Sequence, residues 1–185
     1  MTDFRVVETT ARCRSGFLEL VELRVVGSDG ESFTRDVVRH PGAVAVVPME
    51  GDAVLMVRQW RAAPGRSLLE VPAGKRDVPG EEPATTASRE LVEEIGRRPG
   101  RLDWLGAFYN SPGFCDEYTH VYRATELTAT ERGAVTAEER AMTIERVGID
   151  DVPALIAAGE ITDAKSIVGL LLTRQRLERE RAERA

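Results

Sequence analysis

Gly74-Lys75-Arg76-Asp77-Val78-Pro79-Gly80-Glu81, seven further residues, and then Arg89-Glu90-Leu91-Val92-Glu93-Glu94-Ile95-Gly96 is the stretch whose reading decides the fold. Pro83 suits a first helical position, Ala84 to Ile95 is rich in helix formers, and Gly96 is placed to cap the C-terminus. A helix is therefore expected here. At ~100° per residue, Glu90, Glu93 and Glu94 fall on one face, while Ala84, Ala87, Leu91 and Ile95 form a neighbouring apolar face. One face anchors the helix and the other presents three carboxylates. Like charges at these spacings repel, so the arrangement calls for a cation. Ligands that are all oxygen suit a hard ion such as Mg²⁺ or Mn²⁺, and Arg89 offsets part of the charge without one. For an isolated Glu-Glu pair a solvated acidic face is the ordinary reading, so the weight rests on the wider pattern.

Upstream, Phe17 to Val26 and Ser32 to Arg39 alternate polar and apolar residues around Ser28-Asp29-Gly30, which predicts a β-hairpin and a small lobe of its own. Pro41-Gly42 breaks the pattern. Ala43 to Val47 and Ala53 to Val57 are apolar runs of the kind found in central strands, and Ser67 to Val71 is a short strand ending at Pro72-Ala73-Gly74. Downstream, strands are expected at Trp104 to Tyr109, Thr119 to Ala124 and Ile144 to Ile149, with the loop Asn110-Ser111-Pro112-Gly113 between the first two. Glu131 to Glu139 reads as a polar, flexible segment. A short helix is expected at Val152 to Ala158 and a long one from Asp163 to about Glu180, in which Ile167, Leu170, Leu171 and Arg174 share a face. The charged tail from Arg174 is expected to fray.

At 185 residues, with 42% hydrophobic and 30% charged residues, the chain has room for one core plus a small accessory lobe. The net charge of −6, with no clustered basic surface, argues against nucleic acid as a partner. No stretch approaches the ~18 apolar residues of a membrane span, and the start of the chain is not that of a signal peptide, so the expected location is cytoplasmic. Cys13 and Cys115 are too far apart for a zinc knuckle, and they are read as packing residues. His40 and His120 have no ligand-like neighbours in the sequence.

Taken together, the stretch from Gly74 resembles the Nudix box: Gly, five residues, Glu, seven residues, then Arg-Glu-apolar-any-Glu-Glu-any-Gly-apolar. Two positions depart from it. Six residues rather than five separate Gly74 from Glu81, an insertion that Val78-Pro79-Gly80-Glu81 can absorb as a type II turn, and Arg97 stands where an apolar residue is usual. Val57-Arg58-Gln59-Trp60-Arg61, Leu69-Glu70-Val71-Pro72-Ala73-Gly74-Lys75 and Ser111-Pro112-Gly113-Phe114 resemble the ADP-ribose pyrophosphatase branch of the Nudix hydrolases. In that branch a proline lies about fifteen residues past the box, and Pro112 is fifteen past Arg97.

The resemblance implies an α/β fold: an α/β/α sandwich with a mixed sheet over residues 41–185, preceded by a small N-terminal β lobe over residues 1–40 that forms a homodimer. It implies that Glu90 and Glu94 bind metal, that Glu93 joins when further ions bind, and that the Ala73 carbonyl completes a metal site. Glu81 is structural. A loop glutamate positions or deprotonates the attacking water, and Ala137-Glu138-Glu139-Arg140 is the matching segment, with Glu139 preferred to Glu138. Arg58 and Arg61 are candidate substrate contacts, Arg61 ahead of Arg58, since guanidinium groups suit phosphate, the alternative being a simple surface charge on a strand. Pro112 and Gly113 are candidate walls near the terminal ribose. Glu70, next to Pro72-Ala73-Gly74, is within reach of the metals, and a salt bridge to Lys75 or Arg89 is an equal alternative, so it is not counted among the ligands. The implied reaction is metal-dependent hydrolysis of ADP-ribose to AMP and ribose 5-phosphate. Another nucleoside diphosphate sugar or a dinucleotide is the rival substrate, and a non-catalytic ADP-ribose-sensing module is the rival class.

Overall fold

The computed structural model describes residues 3–133 and 136–184. Strands β1 (Arg5–Ser15), β2 (Leu18–Val26) and β3 (Ser32–Arg39) come first. They are followed by β4 (Ala43–Glu50), β5 (Ala53–Arg61), β6 (Arg66–Glu70), β7 (Ala73–Lys75) and helix α1 (Pro83–Ile95). Then come β8 (Arg97–Arg98), β9 (Arg101–Tyr109), β10 (Tyr118–Thr125), β11 (Thr128–Ala129), α2 (Ala137–Ala141), β12 (Thr143–Gly148), α3 (Val152–Ala157) and α4 (Ala164–Ala182). The chain divides into two compact units, residues 1–42 with 108–118, and residues 43–107 with 119–185.

The first unit is a three-stranded antiparallel sheet in the order β1-β2-β3. The expected hairpin is there, with Asp29 Oδ1 accepting from Glu31 N–H at its turn. Its small core is Val21, Leu23 and Val25, with Phe33 and Val37 packed alongside. Strand β1 does not show in the sequence because it lacks the alternation of a half-buried strand. Ten of its eleven residues are exposed. Residues 108–118 belong with this lobe, which therefore reaches beyond the expected 1–40. Val38 N–H donates to the Phe114 carbonyl, Asp116 N–H donates back to Val38, and Asp116 carboxylate oxygens accept from Arg39 Nη1 and His40 N–H, each at 2.8 Å.

The second unit is built on a seven-stranded mixed sheet, β12-β5-β4-β10-β9 with β6 beside β5 and β7 beside β4. Strand β10 runs parallel to β4, and the β4–β5 and β5–β12 pairs are antiparallel. Alternation across β4 and β5 produces a sandwich, because successive side chains point to opposite faces. Ala45, Val47, Met49, Val54 and Met56 pack with Val152, Ile161 and Leu170 toward α3 and α4. Val44, Val46, Leu55 and Val57 pack with Ala87, Leu91 and Ile95 of α1. Among the described residues no helix is long and apolar enough to cross a membrane.

Two expectations for α4 are corrected. Its buried residues are Ser166, Gly169, Leu170 and Thr173, whereas Leu171 is exposed. Small residues let the helix lie close on the sheet: a Cβ on Gly169 would sit 3.0 Å from Val47 Cγ2. The tail does not fray at Arg174 either. Arg176 Nε and the buried Arg123 both hold Glu180, at 3.1 and 2.9 Å, and the helix continues to Ala182.

Candidate active site

The box folds as a strand, a turn and a helix, and nearly every fixed residue has a local task. Gly80 is at φ +77° and Glu81 N–H donates to the Val78 carbonyl, so the extra residue before Glu81 is absorbed in a type II turn. Glu81 then ties the helix start to its second turn: its carboxylate accepts from Thr86 Oγ1 at 2.8 Å and from Arg89 at 3.3 and 3.4 Å. Those bonds, from Arg89 first and Thr86 second, hold the Glu81 carboxyl below its ordinary range. Gly96 closes the helix in the left-handed region at φ 60°. Thr86, Ala87, Leu91 and Ile95 are buried, although Ala84 is exposed.

Glu94 is 6% exposed and its Oε2 accepts from Ala73 N–H at 3.1 Å, which brings the Ala73 backbone and this carboxylate together. Glu90 is seated on Gly74. A Cβ there would lie 1.8 Å from Glu90 Cδ, so no side chain is compatible with the carboxylate as placed. Burial pushes the Glu90 carboxyl up to about 7 against the opposing charge of Arg89. Burial, and then the charge of Glu90, push Glu94 up to about 8. Arg89 Nη1 sits 2.9 Å from both Glu90 Oε1 and Glu93 Oε2. Burial opposes the Arg89 charge, but Glu81, Glu90 and Glu93 outweigh it and raise its proton affinity.

The donor set fits a hard divalent cation: three carboxylates and a backbone carbonyl, with Glu94 buried and Glu90 half-buried. Among the described residues no three acidic, His or Cys side chains are already gathered as a metal cluster. The guanidinium of Arg89 lies between Glu90 and Glu93, so a cation would take over the neutralising role that Arg89 plays here.

Gly74→Ala tests the seat. The clash is with the far end of a side chain, so the fold should survive with a loss of at most ~1–3 kcal/mol, the usual range for overpacking. The Glu90 carboxylate should be driven off its position, and Mg²⁺ affinity measured by calorimetry should fall at least about tenfold. Unchanged Mg²⁺ affinity would show that Glu90 does not need this position.

A pH dependence follows from the same burial. Between the ordinary carboxyl value of 4.5 and the raised values near 7 and 8, the folded chain holds more protons than the unfolded one. Stability of the metal-free protein should therefore fall as pH rises through that window, by at least ~3 °C in Tm, and level off above it. Excess Mg²⁺ should abolish the fall. A metal-free melting curve that is flat over this window would contradict the assignment.

The two strand arginines are both committed to carboxylates. Arg58 Nε and Nη2 donate to Glu145 at 2.5 and 3.1 Å, and Arg61 Nε and Nη2 donate to Glu70 at 2.8 and 2.7 Å. Glu70 is 1% exposed and pairs with Arg61 and Lys165, two partners that the sequence reading did not include. Lys165 lies 95 residues away along the chain, which is why local reading missed it. Pro112 and Gly113 lie in the first unit, exposed in the turn that follows β9, and Pro112 borders a concavity of about 210 Å³ with Val37, Tyr109, Cys115 and Asp116. His40 stacks edge-on with Phe17 in that unit and its Nδ1 accepts from Gly42 N–H.

The segment expected to be flexible instead carries α2, while residues 134–135 lie outside the described residues. Thr136 Oγ1 accepts from Glu139 N–H at 3.1 Å and the Glu139 carboxylate accepts from Thr136 N–H at 2.9 Å, a reciprocal cap. Glu138 is exposed. The approach to α2 touches the box helix: Gly133 N–H donates to Val92 O at 3.4 Å, and a Cβ on Gly133 would be 3.5 Å from Glu93 Cγ.

Residues 38–168 match the NUDIX domain. The chain belongs to the NUDIX family. It is 40% identical over 151 residues to the ADP-ribose pyrophosphatase of Bacillus subtilis, covering 81% of this chain and 79% of that one. It is 37% identical over 170 residues to the ADP-ribose pyrophosphatase of Mycobacterium tuberculosis, covering 91% and 82%. A solved structure of an ADP compounds hydrolase superimposes with a TM-score of 0.86 at 21% identity, over 96% of this chain and 95% of that one. The last match bears on the fold alone, which is the mixed α/β fold expected of a NUDIX protein.

Proposed function

We propose that this NUDIX chain hydrolyses the diphosphate of ADP-ribose, giving AMP and ribose 5-phosphate. The observation that supports the reading is the carboxylate pair of buried Glu94, against the Ala73 N–H, and half-buried Glu90, seated on Gly74, an oxygen donor set that suits a cation. The substrate comes from the names of the two relatives, both ADP-ribose pyrophosphatases. Mg²⁺ or Mn²⁺, held by Glu90, Glu93, Glu94 and the Ala73 carbonyl, would supply charge to polarise the diphosphate and acidify water. Arg61, with Arg58 as the second candidate, orients the anionic diphosphate by charge-assisted hydrogen bonds. Glu139, or Glu138 beside it, takes the proton of the attacking water. A phosphorus–oxygen bond forms to that water, the bridging phosphorus–oxygen bond breaks, and the leaving phosphate carries away the bridging oxygen.

The test is a hydrolysis screen over ADP-ribose, nucleoside diphosphate sugars such as GDP-mannose, and dinucleotides, with Mg²⁺ or Mn²⁺ and products identified by mass. ADP-ribose should give the highest kcat/KM. Preference for another compound would move the assignment within the enzyme class, and binding without cleavage would identify a sensor.

The proposal includes a homodimer through the N-terminal lobe. Strand β1 is an edge strand whose outer side is unpaired among the described residues, and Phe4, Val6 and Val7 are exposed on or beside it. Light scattering at micromolar concentration should give twice the mass of the chain. A fully active monomer would exclude the dimer.

A further inference from the structure

The first turn of α4 grips the strand that leads into the box. Lys165, whose side chain is 15% exposed, lies between Glu70 and Asp163. The next residue, Ser166, accepts from Val71 N–H at 2.8 Å and donates to Asp163 Oδ2 at 2.5 Å, while Asp163 also caps the helix through Ser166 N–H. Glu70 and Val71, at the end of β6, are thus held by two consecutive residues of α4. Three residues follow directly: Pro72, then Ala73, which donates to Glu94, then Gly74, the seat of Glu90.

Charge is balanced in this cluster by two anions, Glu70 and Asp163, against two cations, Arg61 and Lys165. Glu70 Oε2 is shared between Arg61 Nη2 and Lys165 Nζ. Arg61 uses Nε and Nη2 on Glu70, and its Nη1 has no hydrogen-bond partner among the described residues, with 36% of the side chain exposed. Without Lys165, Glu70 would be neutralised by Arg61 alone and Asp163, half-buried, would keep only its hydrogen bonds from Ser166.

We propose that Lys165 is a positioning residue for the substrate diphosphate. It acts through Glu70 by sharing that carboxylate and keeping the cluster neutral, so that the diphosphate meets no net negative charge at Arg61 and finds its Nη1 as a donor. The inference rests on the diphosphate-hydrolase reading of the site and adds to it a residue from the far end of the chain.

The experiment compares the full-length wild type with Lys165→Met, Lys165→Arg and the double variant Asp163→Asn/Lys165→Met. It measures KM and kcat for ADP-ribose, the Kd of ADP with Mg²⁺ by calorimetry, and Tm. Lys165→Met should raise KM and the ADP Kd by about 10- to 100-fold while kcat stays within about threefold, since a net negative charge is created beside an anion site. Lys165→Arg should restore both. The double variant should also recover most of the loss, because it restores neutrality while Asn still caps the helix. Unchanged KM and ADP Kd in Lys165→Met would overturn the proposal. So would a joint loss of kcat, KM and Tm that neither Arg nor the double variant rescues, since that is the signature of a purely structural lysine. If the wild type cleaves no nucleoside diphosphate compound, the functional reading fails, and the ADP Kd then decides alone. A weakening on Lys165→Met upholds the diphosphate role, and no ADP binding or no difference overturns it.

Discussion

Glu94→Gln should remove turnover by about 10³-fold or more at saturating Mg²⁺, a rise of ~4 kcal/mol in the barrier, and should at the same time stabilise the metal-free protein. The two effects have one cause. Glu94 is 94% excluded from solvent and its carboxyl is lifted to about 8, chiefly by burial and then by the charge of Glu90. A charge there comes at some expense to stability, which a bound cation would offset. An amide of the same volume still accepts from Ala73 N–H, so the fold is kept. What it lacks is the negative charge a hard cation requires. The measurements are a steady-state rate and a metal-free melting curve at about pH 8. Near-normal turnover would refute the metal assignment. Lost turnover with a lowered Tm would mean that the site was disturbed through packing rather than through charge.

This part of the molecule was legible in the sequence. The box is local: its turn, helix start, carboxylate face and Gly96 cap lie within 23 residues, and each is set by short-range chemistry. The apolar runs that became β4 and β5 were equally plain, because burial on both faces leaves no polar positions in them. Strand β1 was not legible, since an exposed edge strand needs no alternation. The buried face of α4 was misplaced because Gly169 and Thr173 face the sheet where large apolar residues were expected. The Arg61–Glu70–Lys165 cluster and the hold of Arg123 on Glu180 join residues far apart in the chain, and only tertiary packing brings them together. Residues 108–118 joined the N-terminal lobe for the same reason, through backbone pairing with Val38.

Glu139→Gln should lower kcat by about 10²–10⁴-fold, the range for loss of a general base, with Mg²⁺ affinity and KM nearly unchanged, and Glu138→Gln should do much less. The structure makes this a cleaner test than the sequence promised. Glu139 is the third residue of a reciprocal cap with Thr136, and Gln fills that position as well as Glu does, so the substitution should leave α2 and Tm intact. Any loss of rate then belongs to the chemistry. The cap also sets what must happen in the cycle. In this state the Glu139 carboxylate is bound to Thr136 N–H, and Arg132 Nη2 donates to the Glu139 carbonyl at 2.5 Å. To serve as base the carboxylate has to leave the cap and come within ~3 Å of the attacking water, a change of the kind substrate-induced loop closure provides. Gly133, ahead of α2, lies against Glu93 and Val92 of the box helix. Glu138, exposed and outside the cap, is the alternative. If Glu138→Gln carries the larger effect, the roles of the two neighbours are exchanged. If both variants keep full kcat, no loop carboxylate takes the proton.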